Sequence, residues 1–543
     1  MNRMVSKSRA RKTRSRDRKA RERKTGNSRS LEANPLLGLS IAFLLWAAAT
    51  FILEIENIVG GYADPASVFN MTGNSAFLLV GLFAAGLFLN IASPKVIRQN
   101  SRLLLLGLVT IIAVTASKAL YSLAGKYEFM PWEVALFLLP LALAPLLTTI
   151  LVGSNAGIGV GVWTSFAVAI MDGRNFSLFL VGIVATAVAA QTGRDVRTRY
   201  RVFRTGLVIG LAETTCLLGL TALGWQTVDI LTVLRQAGAC LVGGFFSAVV
   251  VLLILPLFEM LFNITTDITL LELSDMGHPL LQRLAMEAPG TYHHSLVVAS
   301  LAQSAADTIG ANSLLARVAA YFHDVGKLTK PDFFVENIRR KINPHDSLPP
   351  SMSTLVITSH VKEGMSLAIL HKLPAPVVRV LREHHGTSLL SCFHHKARNQ
   401  LELDLAGRES RQEEAKAKVD ENDFRYPGPK PISRESGIIC LADAVEAASR
   451  TMEKPTPNHI EELVDEITNT RFEDGQLDEC ELTLSEITKV RKSFVFTLTN
   501  MLHGRVPYPK NEDRNKQQPK NTQSRPAPDA RPPAPADAQG NPG

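Results

Sequence analysis

Two hydrophobic rhythms divide the chain. Between Pro35 and Phe262 apolar residues run in long stretches with short polar gaps, whereas from Thr265 onward they recur every three or four residues. Runs of about 17–25 apolar residues meet the length a helix needs to cross a bilayer. Eight fit: 35–53, 75–93, 103–124, 131–152, 155–171, 175–191, 206–225 and 238–262. The gaps at Gly153–Asn155 and Asp172–Arg174 are the shortest, so the fourth to sixth spans have the least distinct boundaries. Beyond the spans, helical spacing predicts helices over His293–Ile309, Ser313–His323, Ser353–His371, Ala375–His385, Glu435–Met452, His459–Thr470 and Leu482–Leu502. Strand alternation is scarce. The expected fold is all-α, a polytopic helical membrane domain followed by a soluble helical bundle.

The same pattern sets the domain expectations. Residues 1–34 form a basic tail, 35–53 a first anchor, 54–74 a short external loop and 75–262 a seven-span module. A soluble domain follows over 265–508, interrupted by a mixed-charge linker at Arg398–Asp423, and 509–543 is a Pro-rich disordered tail.

Charge adds an orientation. Residues 1–34 hold thirteen Lys and Arg against Asp17, Glu22 and Glu32, so the tail carries +10 of a formal +8 and the rest sums to about −2. A basic, Ser-rich tail before an apolar span marks the cytoplasmic side and touches anionic lipid headgroups. Such a tract also suits a polyanion, but with a span adjoining it no nucleic acid is expected as partner. Lys95, Arg98 and Arg102, and then Arg194, Arg197, Arg199, Arg201 and Arg204, fall on the tail's side if there are eight spans. Glu54, Glu56 and Asp64 fall opposite, so both termini are expected in the cytoplasm. The first span is too long for a cleaved signal peptide. Lys118 and Glu213 lie inside spans, where ionisable groups are costly; snorkelling and a bond to a neighbouring Thr give them structural roles. A transporter would show repeated broken helices and more intramembrane charge than this. Five cysteines without a CxxC pair support neither a disulfide framework nor a zinc ribbon.

The chemistry sits in the histidines. Most of the 13 lie between His293 and His395. His323-Asp324 closes an apolar helix and runs into Gly326, and His384-His385 closes another at Gly386. An adjacent imidazole and carboxylate can bind one ion together, the second oxygen reaching another. Within His293-His294, His294 shares its stripe with Val298, Leu301 and Ala305, which should face the core, and His293 shares one with Val297, Ser300 and Ser304. An ion inside a helical bundle needs the inward residue, His294. The pair His394-His395 is the rival for this duty and falls outside the motif order.

The order His294, His323-Asp324, His360, His384-His385, Asp443 resembles the ligand series of a binuclear HD-domain phosphohydrolase. The stretches PGTYHHSLVVAS, ARVAAYFHDVGKLTKPDFFVEN, NPHDSLPPS, SHVKEG, REHHGTSLL, FRYPGPKPISRES and LADAVEAASR resemble the membrane-bound PgpH-type cyclic di-AMP phosphodiesterases. The resemblance covers about residues 75–508, with its specific motifs between Pro289 and Arg450. It implies a bacterial cytoplasmic (inner) membrane protein whose seven-helix module precedes a cytoplasmic all-helical HD-domain bundle. Members of the family typically insert a large external domain after the first span. Here only about twenty residues, Glu54–Asn74, stand in that place, which puts external sensing in doubt.

The resemblance further implies two metals. His294, His323, Asp324 and Asp443 would hold one, and Asp324, His360, His384 and His385 the other, with Asp324 bridging. Five imidazoles and two carboxylates suit manganese or iron, zinc remaining open by ligand type. Two such ions about 3.5–4 Å apart share and activate a hydroxide and stabilise the transition-state oxygens. Asp324 and Lys327 are the catalytic candidates, Lys327 by placing an ammonium near a phosphate. Arg425, Tyr426 and Arg450 are candidate substrate contacts. The implied reaction is hydrolysis of cyclic di-AMP to linear pApA. Another nucleotide (cyclic di-GMP or guanosine tetraphosphate) and a non-catalytic nucleotide receptor are the alternatives. A homodimer is compatible with either.

Overall fold

The computed structural model describes residues 34–60, 65–127, 130–225, 229–338, 343–404, 419–452 and 456–503. The basic and Pro-rich tails lie outside them, apart from Asn34. Among the described residues every element is helical, and the sole pairing of extended backbone is an isolated antiparallel bridge between Leu389 and Arg425.

Eight helices or helix pairs are long and apolar enough to cross a membrane, making this a multi-pass membrane protein. They are α1 (Pro35–Gly60), α2 (Pro65–Ala92), α3 (Asn100–Tyr127), the broken fourth span ending in α4 (Leu143–Leu151), α5 (Ser154–Met171), α6 (Phe176–Thr192), α7 (Arg199–Ala222) and α8 (Ile230–Phe262). The first two helices are not confined to the bilayer. Glu54–Gly60 continues α1 and Pro65–Asn74 opens α2, so the expected external loop is helical apart from residues 61–64, which are not described. Nothing in Glu54–Val59 stops a helix, and Pro65 at a first helical position starts the next one without losing a bond. The two ends are tied together: Asn57 and Asn74 donate to Glu54 at 2.7 and 2.9 Å.

The fourth span departs further from expectation. It comprises a turn at Trp132–Ala135, a 3-10 turn at Leu136–Leu138, a break at Leu139-Pro140 and then α4. Pro140 has no N–H to continue the ladder. Non-helical backbone at membrane depth is tolerated only inside protein, and 89% of this span's apolar window is buried, the highest share of the eight. Gln236 of α8 donates to the Glu133 carbonyl at 3.1 Å, which ties the first turn of the broken span to α8. A single break leaves the transporter pattern of repeated ones unmet. Lys118 reaches toward the end of its span and pairs there with Glu56 at 3.0 Å. The neighbours of Glu213 do not bond to it: Thr214 and Thr215 turn their hydroxyls to the carbonyls of Gly210 and Leu211.

The soluble bundle hangs from α8. Asn263 ends that helix in a left-handed conformation, and Glu259 accepts from the hydroxyls of Thr266 and Thr269 to turn the chain into α9 (Asp267–Leu273). Arg197 and Arg199, at the start of α7, reach Asp267 at 3.5 Å and Glu272 at 2.9 Å. Then come α10 (Pro279–Glu287), α11 (Pro289–Ile309), α12 (Ser313–Phe322), α13 (Pro350–Leu370), α14 (Ala375–Glu383), α15 (Ser391–Asp404), α16 (Arg434–Ser449), α17 (Pro457–Glu473) and α18 (Leu484–His503). The helix α15 overlaps the expected Arg398–Asp423 linker, whose residues 405–418 are not described. A core of Ala, Val, Leu and Ile side chains joins α11, α12, α14, α16 and α18. Small residues at 299, 302, 305 and 306 of α11 let α12 pack closely on it.

Candidate metal centre

Three helix ends and two helix middles converge on a buried point. His294 comes from the first turns of α11, His323 and Asp324 from the end of α12, His360 from the middle of α13, His384 and His385 from the end of α14, and Asp443 from α16. His294 is buried while His293 is exposed, as the stripe argument required.

Gly326 lets α12 meet α13. A Cβ there would lie 1.9 Å from the His360 carbonyl oxygen, so backbone touches backbone beside both histidines. Sequence spacing suggested a helix-ending glycine; its structural use is close approach. At the other pair Gly386 does take a left-handed turn, φ 54°. Gly326→Ala is expected to cost about 3 kcal/mol or more, the upper range for overpacking a close contact. The check is a lowered unfolding temperature together with weakened metal binding; unchanged values for both would mean the two helices can part without consequence.

Three of the imidazoles are oriented alike. Nδ1 of His323, His360 and His384 lies 2.7, 2.6 and 2.9 Å from the carbonyls of Ala320, Ile357 and Leu381. A carbonyl only accepts, so each Nδ1 carries a proton and each Nε2 points inward, where its lone pair serves an ion once any second proton has left. Nδ1 of His294 makes the same use of the Glu446 carboxylate. The Nε2 atoms of His360 and His384 face each other at 3.4 Å with no proton available between them.

Asp324 divides its two oxygens. Oδ2 is 3.4 Å from His294 Nε2 and 3.2 Å from His323 Nε2, while Oδ1 is 3.4 Å from His360 Nε2 and 3.7 Å from His384 Nε2. Asp443 Oδ1 stands 3.0 Å from His294 Nε2, and its Oδ2 3.3 Å from His385 Nδ1. Donor atoms of His294, His323, Asp324 and Asp443 lie within 4.8 Å of one another, as do those of Asp324, His360, His384 and His385. Asp324 is fully buried, and neither of its oxygens accepts a hydrogen bond of proper geometry; His323 Nε2 is equally orphaned. Lys327 Nζ lies 2.7 Å from Oδ2 but as a charge neighbour rather than an aligned donor. Buried lone pairs that converge without donors are costly unless cations meet them. Two divalent ions fit this donor set.

Protonation preferences differ across the centre. Burial opposes the charged form of His294, yet the carboxylates of Asp324, Asp443 and Glu446 outweigh it and hold the group well above its ordinary range. His323 is likewise pulled up, to about 9, by Asp324 and Asp443 against burial. On the other side burial, assisted by the neighbouring His384 and Lys327, drives His360 down to about 4. His385 falls well below its usual value, from burial first and then His384. Burial would raise Asp324, but Lys327, His323 and His294 overcome it and keep the carboxyl ionised.

The remaining candidates separate clearly. Lys327 is bound between Asp324 and Glu336 at 2.7 Å each, its Nζ 5.0 Å from the Phe334 ring centre. The Tyr426 ring stacks on His385 with centroids 4.2 Å apart. Arg425 is not free for a phosphate: its guanidinium holds Glu421, both oxygens of Asp474 and the Thr387 carbonyl. Arg450 donates to Glu446 at 2.8 Å and so acts one residue away from the centre. His394 and His395 belong to neither donor group. Sequence reasoning missed Glu446 and Glu336. The first carried a readable signal, since three residues beyond Asp443 places both carboxylates on one helical face. The second lies in a run of short 3-10 turns where no periodicity applies.

Comparison with known proteins agrees with this architecture. Residues 68–266 match the family described as 7TM receptor with intracellular HD hydrolase, and residues 291–448 match the HD domain family. Cyclic-di-AMP phosphodiesterase PgpH of Listeria monocytogenes is 38% identical over 69% of this chain and 51% of its own length. The Bacillus subtilis protein of the same name is 33% identical over 80% of this chain and 59% of its own. The chain thus spans between half and three fifths of the length of these relatives. A crystal structure of the L. monocytogenes PgpH HD domain in complex with cyclic-di-AMP is 43% identical over 42% of this chain and all of that one, with a TM-score of 0.38.

Proposed function

The chain belongs to the PgpH-type family of membrane-bound HD-domain proteins, and from that premise we propose that it hydrolyses cyclic di-AMP to linear pApA. HD domains are metal-dependent, and the seven donors are assigned to two divalent ions, manganese or iron by their imidazole-rich chemistry. The observation that carries the reading is the division of Asp324, one oxygen toward His294 and His323 and the other toward His360 and His384. Bound there, the ions would supply an activated water at neutral pH and positive charge for the phosphoryl oxygens.

The chain's own residues do the rest. Carbonyls and Glu446 hold a proton on Nδ1 of His294, His323, His360 and His384 and turn their Nε2 atoms inward, while His385 presents Nδ1. Lys327 keeps Asp324 ionised and adds a fixed positive charge beside the phosphate position. Tyr426 borders the centre through its stack on His385 and is the candidate wall for a base. Arg425 and Arg450 shape the site through Asp474 and Glu446 rather than touching substrate.

Full-length protein loaded with manganese or ferrous iron, assayed against cyclic di-AMP, cyclic di-GMP and guanosine tetraphosphate, tests the reading. Linear pApA from cyclic di-AMP is the expected product. Turnover of another nucleotide alone would move the substrate, and no turnover by the doubly loaded protein would leave a receptor.

The orientation, both termini in the cytoplasm of a bacterial inner membrane, is supported by the Arg-rich side of the spans. A cysteine introduced within Glu54–Asn74 should react with an impermeant maleimide from outside, and a C-terminal tag only after permeabilisation. The reverse pattern would put the metal centre away from an intracellular nucleotide.

A further inference from the structure

A second pocket lies at the end of the membrane module opposite the HD domain. It occupies about 350 Å³ between the end of α1, the start of α2, the end of α3 and the turn joining α5 to α6. Unlike the lipid-facing surfaces around it, this pocket is lined largely by polar and charged groups.

Its charges are arranged in a specific way. Glu56 is neutralised by Lys118 at 3.0 Å. Glu54 is not: it is 5% exposed and, among the described residues, it accepts only the amide donors of Asn57 and Asn74 and has no cation within 4.0 Å. Arg174 donates at 3.1 Å to the oxygen of Asn74 and pairs with no carboxylate among the described residues. Among the described residues a single amide, Asn74, therefore stands between a buried carboxylate that meets no cation and an exposed guanidinium that meets no carboxylate. A buried carboxylate held by neutral donors alone is a costly arrangement that a bound ammonium relieves. Behind them Asp172 is taken up by Asn175 at 2.9 Å.

We propose that this pocket binds a small zwitterion of the α-amino acid class, its ammonium on Glu54 and its carboxylate on Arg174. Asn74 sets the spacing between the two poles, and the volume leaves room for a side chain. In the orientation proposed above, the site faces the outside of the cell. With only a short connection between α1 and α2, the membrane module itself then carries the recognition of an external small molecule.

The test is titration calorimetry on full-length protein in nanodiscs with a panel of the common L-amino acids. Acetate and methylammonium, each carrying one of the two charges, are titrated separately. At least one amino acid should saturate the protein, and both single-charge probes should bind at least about tenfold more weakly. Glu54→Gln and Arg174→Asn should each weaken the amino acid by about tenfold or more, since each removes a charged partner. Asparagine is chosen because Arg174 sits at φ 67°, a left-handed conformation that Asn tolerates. Absence of binding by any amino acid overturns the proposal. So does methylammonium binding as tightly as the best amino acid, which would make this a simple cation site. That wild-type comparison decides the matter even where a variant fails to fold. No readout involves nucleotide hydrolysis, so failure here and failure of the phosphodiesterase reading remain distinguishable.

Discussion

Asp324→Ala should lower cyclic di-AMP turnover by more than about a thousandfold and remove most of the bound metal, while the protein still inserts and folds. Loss of a single group that stabilises transition-state charge commonly costs about 10²–10³ in rate, and Asp324 faces two groups of donors at once. Its Oδ2 serves the His294 and His323 side and its Oδ1 the His360 and His384 side. Removing it also deprives Lys327 of one of its two carboxylates and leaves four inward lone pairs without the anion that helps to balance a cation pair. His394→Ala is the matched control, since that ring packs near Phe424 and belongs to neither donor group. Elemental analysis and turnover are to be measured on the same folded preparations. Two metals and near-normal turnover in Asp324→Ala would refute the two-metal reading. Loss of metal in His394→Ala alone would transfer the ligand assignment to the second histidine pair.

What could be read before the structure follows the physics that acts locally. The bilayer imposes a length, so the eight spans were visible as apolar runs and the helical count agrees. The HD bundle buries one face of each helix, so His294 could be told from His293 by its Val298 and Leu301 neighbours. Length does not reveal where a helix stops beyond the bilayer, and α1 and α2 accordingly extend through what reads as a loop. A break such as Leu139-Pro140 is invisible as well, because its residues are as apolar as the helix they interrupt. Hidden longest are contacts between distant segments. Arg425 reads as a phosphate ligand until Asp474 is seen to hold it at 2.7 Å. The short 3-10 turns after Asp324 conceal how Glu336 comes round to share Lys327.

Glu446 extends the same reasoning to a residue that touches no proposed ion. Its Oε2 accepts the Nδ1 proton of His294 and its Oε1 the Nε proton of Arg450, so the carboxylate fixes both the tautomer and the tilt of the ring. Outer partners of this kind are worth about 10–100-fold in metal affinity. Glu446→Ala should therefore weaken metal binding within that range, chiefly at the ion assigned to His294, His323, Asp324 and Asp443. Turnover should recover in large part when excess metal is added, because every direct ligand remains in place. Glu446→Gln keeps an oxygen able to accept from Nδ1 but loses the charge, so it should fall between alanine and wild type. Arg450→Ala should cost less still, as it removes only the support of the support. A purely structural role for Glu446 predicts something different: lowered unfolding temperature with no rescue by metal and the same loss in the Ala and Gln variants. Metal titration of the three variants, followed by turnover at low and saturating manganese, separates the two. Wild-type metal affinity in Glu446→Ala would show that His294 needs no partner to face inward.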